Sequence, residues 1–148
     1  SSSRELAKFR NRIYMRQFLV SLHDKIRQKM AIMPSMLDDQ GYERIRDFRG
    51  FDDRYTAPLH GFRDAEDYWA KCSSGPLIPD ITVPTLVVNA RDDPFLADGC
   101  YPVAAAEQSR CVHLELPRHG GHVGFVRLDR EGMYWSELRA VEFLGQAW

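Results

Sequence analysis

Apolar residues recur at helical spacing along the N-terminal stretch of the chain. From position 6 to position 33 they lie three to five residues apart, and arginines and lysines occupy many of the positions between them. This period predicts one amphipathic helix, which Pro34 is expected to end. Its polar face is interpreted as a solvated surface, because the acidic residues Glu5 and Asp24 interrupt the basic run that a membrane-surface helix would have. The predicted apolar face consists of Leu6, Phe9, Ile13, Phe18, Leu22, Ile26 and Met30.

Two shorter helices are expected before the pattern changes. Residues 38–48 are a helix candidate closed by Gly50. Residues 64–71 are a second candidate, which the Ser-Ser-Gly-Pro loop at residues 73–76 should end.

The second half of the chain contains strand-like runs. Residues 84–90, which read PTLVVNA, form a continuous β-branched run of the kind found in strands buried on both faces of a parallel sheet. Residues 111–116 predict a second strand, and an apolar helical stretch at residues 103–108 separates the two. This order predicts a parallel pair with a right-handed crossover. A closing helix over residues 133–144 is expected to bury Met133, Leu138, Val141 and Leu144.

The fold class is therefore α/β, but the sheet predicted from these residues is too small. A strand buried on both faces needs neighbours on both sides, and two strands cannot supply them. We expect the chain to be incomplete on its own and to be the later part of a larger domain.

Composition and charge disfavour some classes of function but do not identify an activity. The 148 residues are 44% hydrophobic and 28% charged, which is typical of about one globular domain. The 20 basic and 21 acidic residues are dispersed, so nucleic acid is not an expected partner and a small neutral or amphiphilic ligand is favoured. No apolar run approaches the ~20 residues that cross a bilayer, and we expect a cytoplasmic protein. Reduced thiols are expected at Cys72, Cys100 and Cys111, which have no zinc-type spacing.

Candidate catalytic residues follow both predicted strands. Asp92 and Asp93 come after the first strand, and a glycine-rich loop with His119 and His122 comes after the second. Ligands of open α/β sheets gather beyond the carboxyl ends of the strands. A serine nucleophile needs these two partners, because the histidine accepts the serine proton and the carboxylate fixes the histidine tautomer. In one chain order of such triads the acid precedes the histidine, as it does here.

Each motif also has a simpler interpretation. Asp-Asp-Pro is a common turn sequence, and the two histidines could cap backbone groups in their loop. Either motif alone would favour that interpretation, but both follow a strand and stand in the right order. A metal site at His119 and His122 is less favoured, because three-residue spacing on a glycine loop defines no common face. His23, His60 and His113 are not assigned to catalysis.

Three segments resemble one known family. Residues 51–62, which read FDDRYTAPLHGF and continue to Asp67-Tyr68-Trp69, are similar to the YheT-like branch of the α/β-hydrolase superfamily. The family's Asp-Asp-Pro-Phe-like strand end and His-Gly-Gly-His-Val-Gly-Phe loop are matched by residues 90–95 and 119–125. The resemblance implies the C-terminal portion of an α/β-hydrolase fold, with a helical, cap-like segment at about residues 1–79. The last strands and helices, which carry the triad acid and histidine, would occupy about residues 80–148.

The resemblance also implies roles for particular residues. It makes Asp93 the triad acid and His122 the triad base. Ala90 stands where these hydrolases place a small residue three positions before the acid, which selects Asp93 over Asp92. Pro94 supports that choice, because the residue before a proline is restricted toward extended geometry.

The nucleophile is not found in these 148 residues, which contain no Gly-x-Ser-x-Gly elbow. In the family this elbow lies earlier in the domain, so we expect this chain alone to be inactive. The predicted function is hydrolysis of a small ester or acyl substrate through a Ser-Asp-His triad, with no cofactor and no metal. The missing N-terminal half of the hydrolase domain is the expected partner. The alternative is a non-catalytic remnant or binding module with vestigial triad partners.

Overall fold

The computed structural model describes residues 2–126 and 132–146. Internal contacts divide the chain into two compact units, Ser1–Ser73 and Ser74–Trp148. They are called here the helical unit and the sheet unit. No helix of the described residues is both long enough and apolar enough to cross a membrane.

The helical unit is built from helices of unequal length. Its α-helices are α1 (Ser2–Leu6), α2 (Arg12–Ile32), α3 (Phe48–Phe51), α4 (Ala57–Leu59) and α5 (Ala65–Cys72). Two 3₁₀ turns, Phe9–Asn11 and Tyr42–Arg44, and a π-helical stretch, Asp52–Thr56, lie between them. A buried cluster of Ile26, Leu37, Tyr42, Phe51 and Tyr55 forms the core of this unit.

The long N-terminal helix is shorter than predicted. It begins at Arg12, because the buried Asn11 side chain donates from Nδ2 to the Glu5 carbonyl (3.0 Å) and the chain turns before it. Ile13, which was expected on the apolar face, is exposed, whereas Ile26 is buried as expected. The predicted end before Pro34 is confirmed.

The helix predicted at residues 38–48 is wrong. Gly41 has a φ of +76°, a left-handed conformation that a helix cannot continue through, and only a 3₁₀ turn follows it. The next helix begins at Phe48, because the Asp47 carboxylate accepts a hydrogen bond from the Gly50 amide (2.9 Å) and caps it. The prediction at residues 64–71 is confirmed, with Asp64 as the cap of α5.

The sheet unit contains the two predicted strands, β1 (Thr85–Val88) and β2 (Val112–Glu115), which are parallel. Helix α6 (Val103–Gln108) lies between them in the chain, as predicted. The register pairs Thr85 with Val112 and Val88 with Glu115. In the described ranges the sheet has these two strands, and the side chains of β1 are half-buried rather than buried on both faces. Short 3₁₀ helices occupy Gly75–Asp80 and Asp98–Cys100.

The closing helix, α7 (Trp135–Leu144), has a different buried face from the predicted one. Val141 and Leu144 are exposed, and Phe143 is buried instead. The physical reason is a polar anchor one turn earlier on the same face, where the Arg139 guanidinium binds the Glu115 carboxylate at the end of β2. Because residues four apart share a helix face, this ion pair turns Phe143 toward His113, with ring centroids 5.4 Å apart.

Candidate active site

The two strands end side by side, which brings their following loops together. The Asn89 amide donates to the Glu115 carbonyl (3.1 Å), and the Arg91 amide donates to the Pro117 carbonyl (2.8 Å). Parallel pairing therefore continues past both strands, up to the residue before Asp92. The candidate acids and candidate histidines emerge at the same edge, which is where α/β sheets place their ligands.

A tight turn at the end of β1 sets the position of Asp93. The Ala90 carbonyl accepts hydrogen bonds from the Asp93 amide (3.3 Å) and from the Tyr101 hydroxyl (2.9 Å). Asp93 Oδ1 then accepts one from the Phe95 amide (2.8 Å). One carboxylate oxygen is thereby held by the backbone two residues ahead, as in an Asx turn, and the other remains for a partner.

That partner is His122. Its Nδ1 donates to Asp93 Oδ2 at 2.9 Å, so the two residues to which the family resemblance gives the roles of acid and base are in contact. The Asp93 side chain is only 1% exposed, whereas the His122 side chain is 52% exposed. The Phe95 ring lies beside the imidazole, with ring centroids 4.8 Å apart. A buried acid thus holds a half-exposed histidine.

The contact defines which imidazole nitrogen is available for chemistry. A carboxylate can only accept a hydrogen bond, so a neutral His122 bonded to Asp93 carries its proton on Nδ1. The lone pair is then on Nε2, which has no hydrogen-bond partner among residues 2–126 and 132–146. An imidazole in this state can accept a proton at Nε2 and return it later, as a general base and then a general acid.

The histidine loop depends on close backbone packing. The Gly120 carbonyl accepts hydrogen bonds from the amides of Gly124 (3.1 Å) and Phe125 (3.0 Å), which closes the loop on itself. A Cβ at Gly120 would lie 2.5 Å from the Phe125 ring and 2.9 Å from the Ala90 Cβ, so no larger residue fits there. The small residue expected at Ala90 therefore has a physical reason, which is the approach of the histidine loop.

Asp92 reaches the same loop at different atoms. Its Oδ1 accepts a hydrogen bond from the Gly121 amide (2.8 Å), and His119 Nδ1 lies 3.2 Å from its Oδ2. The Gly121 amide is the main cause that lowers the pKa of Asp92, and His119 contributes less. His119 is 88% exposed. The two adjacent carboxylates therefore have different partners. Asp93 contacts the imidazole of His122, whereas Asp92 accepts a hydrogen bond from the backbone of the histidine loop.

A third histidine–carboxylate pair lies in the helical unit and was not predicted. His23 Nε2 is 2.9 Å from Asp39 Oδ2, and the Arg27 guanidinium donates to the same oxygen (3.0 Å). The His23 ring stacks on the Tyr42 ring, with centroids 3.9 Å apart. Arg27 is the largest contribution that lowers the pKa of Asp39, followed by His23.

Sequence reasoning also missed two residues that support the site. Tyr101 holds the Ala90 carbonyl, and no local pattern signals a contact between residues eleven positions apart. Phe95 was visible as part of the Asp-Asp-Pro-Phe segment, but its packing against His122 depends on the loop that follows β2.

Neither a metal site nor a nucleophile is seen in the described residues. No three His, Cys, Asp or Glu side chains within these ranges are grouped so as to hold a metal ion. No serine in the same ranges is hydrogen-bonded to His122. Ser109 accepts hydrogen bonds from the amides of Cys111 and Val112 (3.2 Å each), at the opposite end of β2 from the histidine loop.

Comparison with known proteins gives several similar chains. Neither a protein-family model nor a solved structure matches this sequence at a significant level. The chain is 37% identical over 118 residues to YheT of Escherichia coli (strain K12), whose name describes it provisionally as an esterase. It is 30% identical over 105 residues to phospholipase ABHD3 of Mus musculus, and 36% identical over 102 residues to a monoacylglycerol lipase of Saccharomyces cerevisiae.

These matches cover most of this chain but a small part of each relative. They span 78%, 71% and 69% of this chain, and 34%, 26% and 22% of the three relatives in the same order. The similarity therefore concerns about a third of YheT, about a quarter of the phospholipase and about a fifth of the lipase.

Proposed function

The chain belongs to the α/β-hydrolase family, and from this premise we propose that it carries the acid and the base of a serine-type hydrolase acting on carboxylic esters. The relatives are named as esterases and lipases, which supports a hydrolase role in general. The proposal that the chain carries the acid and the base rests on one observation. This is the 2.9 Å contact between the buried Asp93 carboxylate and Nδ1 of the half-exposed His122.

In the proposed reaction, Asp93 and His122 act on a serine that this chain does not contain. His122 Nε2 accepts the serine proton as the hydroxyl attacks the ester carbonyl, and it then returns the proton to the leaving alkoxide. Asp93 keeps the imidazole in the Nδ1–H tautomer and stabilises the imidazolium that forms. A water molecule, activated by the same histidine, releases the acid. The proposal requires no cofactor and no metal.

We propose that the serine and the oxyanion-hole donors lie upstream, in the N-terminal half of the domain. The two-stranded sheet supports this proposal, because β1 has half-buried apolar side chains where a full α/β sheet would bury them between further strands. The coverage of about a third of YheT is consistent with it. The chain would then be the C-terminal portion of one hydrolase domain, with the cap-like segment at about residues 1–79 and the triad-bearing portion at about residues 80–148.

A second candidate is a non-catalytic remnant or binding module. The observation in its favour is that the 148 residues contain no Gly-x-Ser-x-Gly elbow. It differs from the first candidate in one respect that can be tested, which is whether a longer reading frame supplies a reactive serine.

The test uses the full-length protein and the 148-residue chain side by side. Both are incubated with a fluorophosphonate that labels activated serines, and turnover of a short activated ester is measured. We expect labelling of an upstream Gly-x-Ser-x-Gly serine and turnover in the full-length protein, with neither in the 148-residue chain, because the chain lacks the nucleophile. The matched control is full-length His122→Ala, which should lose both signals while remaining folded.

Two outcomes would decide against the proposal. A full-length protein that lacks an elbow serine and shows no turnover would support the remnant. Robust turnover by the 148-residue chain, sensitive to serine reagents, would show that the nucleophile has been placed in the wrong part of the protein.

A further inference from the structure

The backbone of the histidine loop is anchored by a carboxylate that does not touch the reacting histidine. Asp92 Oδ1 accepts the Gly121 amide at 2.8 Å, and Gly121 directly precedes His122. We propose that Asp92 is a positioning residue for His122, acting through the Gly121 backbone. This inference rests on the proposed function, because a positioning role has meaning only if His122 is the base.

The loop is held at three successive residues, each by a different kind of contact. Gly120 packs without a side chain against Ala90 and the Phe125 ring, Gly121 is hydrogen-bonded to Asp92, and His122 is hydrogen-bonded to Asp93. Gly121 has a φ of +59°, a conformation that few other residues adopt. Because the φ and ψ of Gly121 set the direction of the next Cα–Cβ bond, the hydrogen bond at its amide helps to define where the imidazole points.

The two contacts of Asp92 are unequal in what they can restrain. His119 is 88% exposed, and its Nδ1 is 3.2 Å from Asp92 Oδ2, so this contact is weakened by solvent. The hydrogen bond from the Gly121 amide is shorter than the contact with His119, and its donor is a backbone atom. This bond is also the main cause that lowers the pKa of Asp92. Asp92 is therefore an anion at neutral pH, and its bond to Gly121 is a charge-assisted one. Loss of this anchor should affect the placement of His122 more than the affinity for substrate.

The variants Asp92→Asn and Asp92→Ala separate loss of the negative charge from loss of the hydrogen-bond acceptor. Asp92→Asn keeps an oxygen that can accept the Gly121 amide, whereas Asp92→Ala removes the acceptor. We expect Asp92→Ala to lower kcat about 100-fold in the full-length protein, since misplacement of a catalytic group by about 1 Å costs about that much. Its KM should change little. Asp92→Asn should recover kcat to within about tenfold of the unsubstituted protein.

Asp93→Asn, measured in the same series, separates failure of this inference from failure of the proposed function. If Asp93→Asn loses activity while Asp92→Ala keeps it, only the positioning role is overturned. If Asp93→Asn is fully active, the proposed function itself fails. Equal loss in Asp92→Asn and Asp92→Ala would also overturn the anchor, because the retained acceptor would then be without effect.

A further variant is needed in case Asp92→Ala does not fold. Asp92→Glu keeps the charge but displaces the carboxylate by one methylene from the Gly121 amide. Circular dichroism identifies the folded variants, and kcat is compared between Asp92→Asn and Asp92→Glu. The inference predicts that Asp92→Glu is the more impaired of the two variants, and it is overturned if Asp92→Glu retains as much activity as Asp92→Asn or more.

Discussion

Two histidine–carboxylate pairs in this chain have the same contact distance and different surroundings. His122 Nδ1 and Asp93 Oδ2 are 2.9 Å apart in the sheet unit, and His23 Nε2 and Asp39 Oδ2 are 2.9 Å apart in the helical unit. Both carboxylates fix their histidine with one hydrogen bond. Distance alone therefore does not distinguish a candidate catalytic pair from a structural one.

The surroundings distinguish them. Asp39 already has a cation, Arg27, on the same oxygen, and the His23 ring is covered on one face by Tyr42. Asp93 is almost completely buried and has no arginine or lysine partner in the described part of the chain, while half of His122 reaches solvent. The first arrangement neutralises an acid and joins helix α2 to the loop before Tyr42. In the second arrangement Asp93 has no cationic partner of this kind, so it can stabilise the imidazolium that forms when His122 accepts a proton. A general base requires this stabilisation.

The largest expected effect distinguishes the histidines in the full-length protein. His122→Ala should reduce kcat by about 10⁶, the loss found when a triad base is removed from a serine protease. His23→Ala should leave kcat nearly unchanged, because that histidine joins elements of the helical unit only. His119→Ala should cost no more than about tenfold through the loop. Equal losses from His122→Ala and His119→Ala would leave the assignment of the base unsupported.

A smaller effect is expected from the packing under the histidine loop. Gly120→Ala places a methyl group 2.5 Å from the Phe125 ring, so the loop must move and His122 with it. We expect a loss of about 100-fold in kcat and about 1–3 kcal/mol in the free energy of unfolding. Gly99→Ala is the matched control, because a Cβ there meets nothing within 4 Å. Similar behaviour of the two variants would mean that the close approach at Gly120 is not needed.

The hydrogen bond from Tyr101 to the Ala90 carbonyl should have a modest effect. Tyr101→Phe removes one hydrogen bond of ordinary strength, worth about 1 kcal/mol in the free energy of unfolding. The Ala90 carbonyl keeps the Asp93 amide as a partner, so kcat should fall only slightly. Denaturant unfolding and steady-state kinetics on the full-length variant measure both. A loss of activity as large as that of Gly120→Ala would assign Tyr101 a greater role.

The smallest expected effect concerns the ion pair of Glu115 with Arg139, which belongs to none of the three histidine–carboxylate pairs. Arg139 lowers the pKa of Glu115 below its ordinary value of 4.5. The carboxylate therefore stabilises the folded state above that value, and the stabilisation is lost as the pH falls through its lower folded-state pKa. Glu115→Gln should be less stable at pH 7, and the difference should shrink on acidification. Exposed Glu107→Gln controls for the change in charge, and a pH-independent difference at Glu115 would contradict the assignment.

Much of the sheet unit was predictable because its signals are local. The run at residues 84–90 is continuous and contains three β-branched residues, residues 111–116 form a second short strand-like run, and an apolar helical stretch separates them, so their types and order agreed with the structure. The ends of two parallel strands predicted that a carboxylate and a histidine meet at one edge of the sheet, and the family resemblance selected Asp93 and His122, which are in contact. The sequence indicated a turn at Asp-Asp-Pro but not the contact of Asp92 with the Gly121 amide, since that partner lies in another loop.

The helical unit was less predictable because its elements are set by single contacts. Asn11 bonds to the Glu5 carbonyl and Asp47 caps Phe48–Phe51, so both helix starts depend on side-chain geometry that periodicity does not contain. Likewise, the Arg139–Glu115 ion pair turned α7 to a face that apolar spacing did not indicate. The His23–Asp39 pair was not predicted, because the two residues lie on different elements and neither stands at a strand end.

The most direct test replaces Asp93 and Asp39 by asparagine, one at a time, and compares kcat of the two variants in the full-length protein. In a chymotrypsin-type triad this change costs about 10⁴ in kcat, or roughly 5.5 kcal/mol of barrier, because the histidine tautomer is no longer controlled. We predict a loss approaching that size for Asp93→Asn. Asp39→Asn, which alters a pair with the same 2.9 Å contact, should leave kcat almost unchanged. A fully active Asp93→Asn, or losses of equal size from both variants, would contradict the assignment of Asp93 and His122 as the acid and base of the triad.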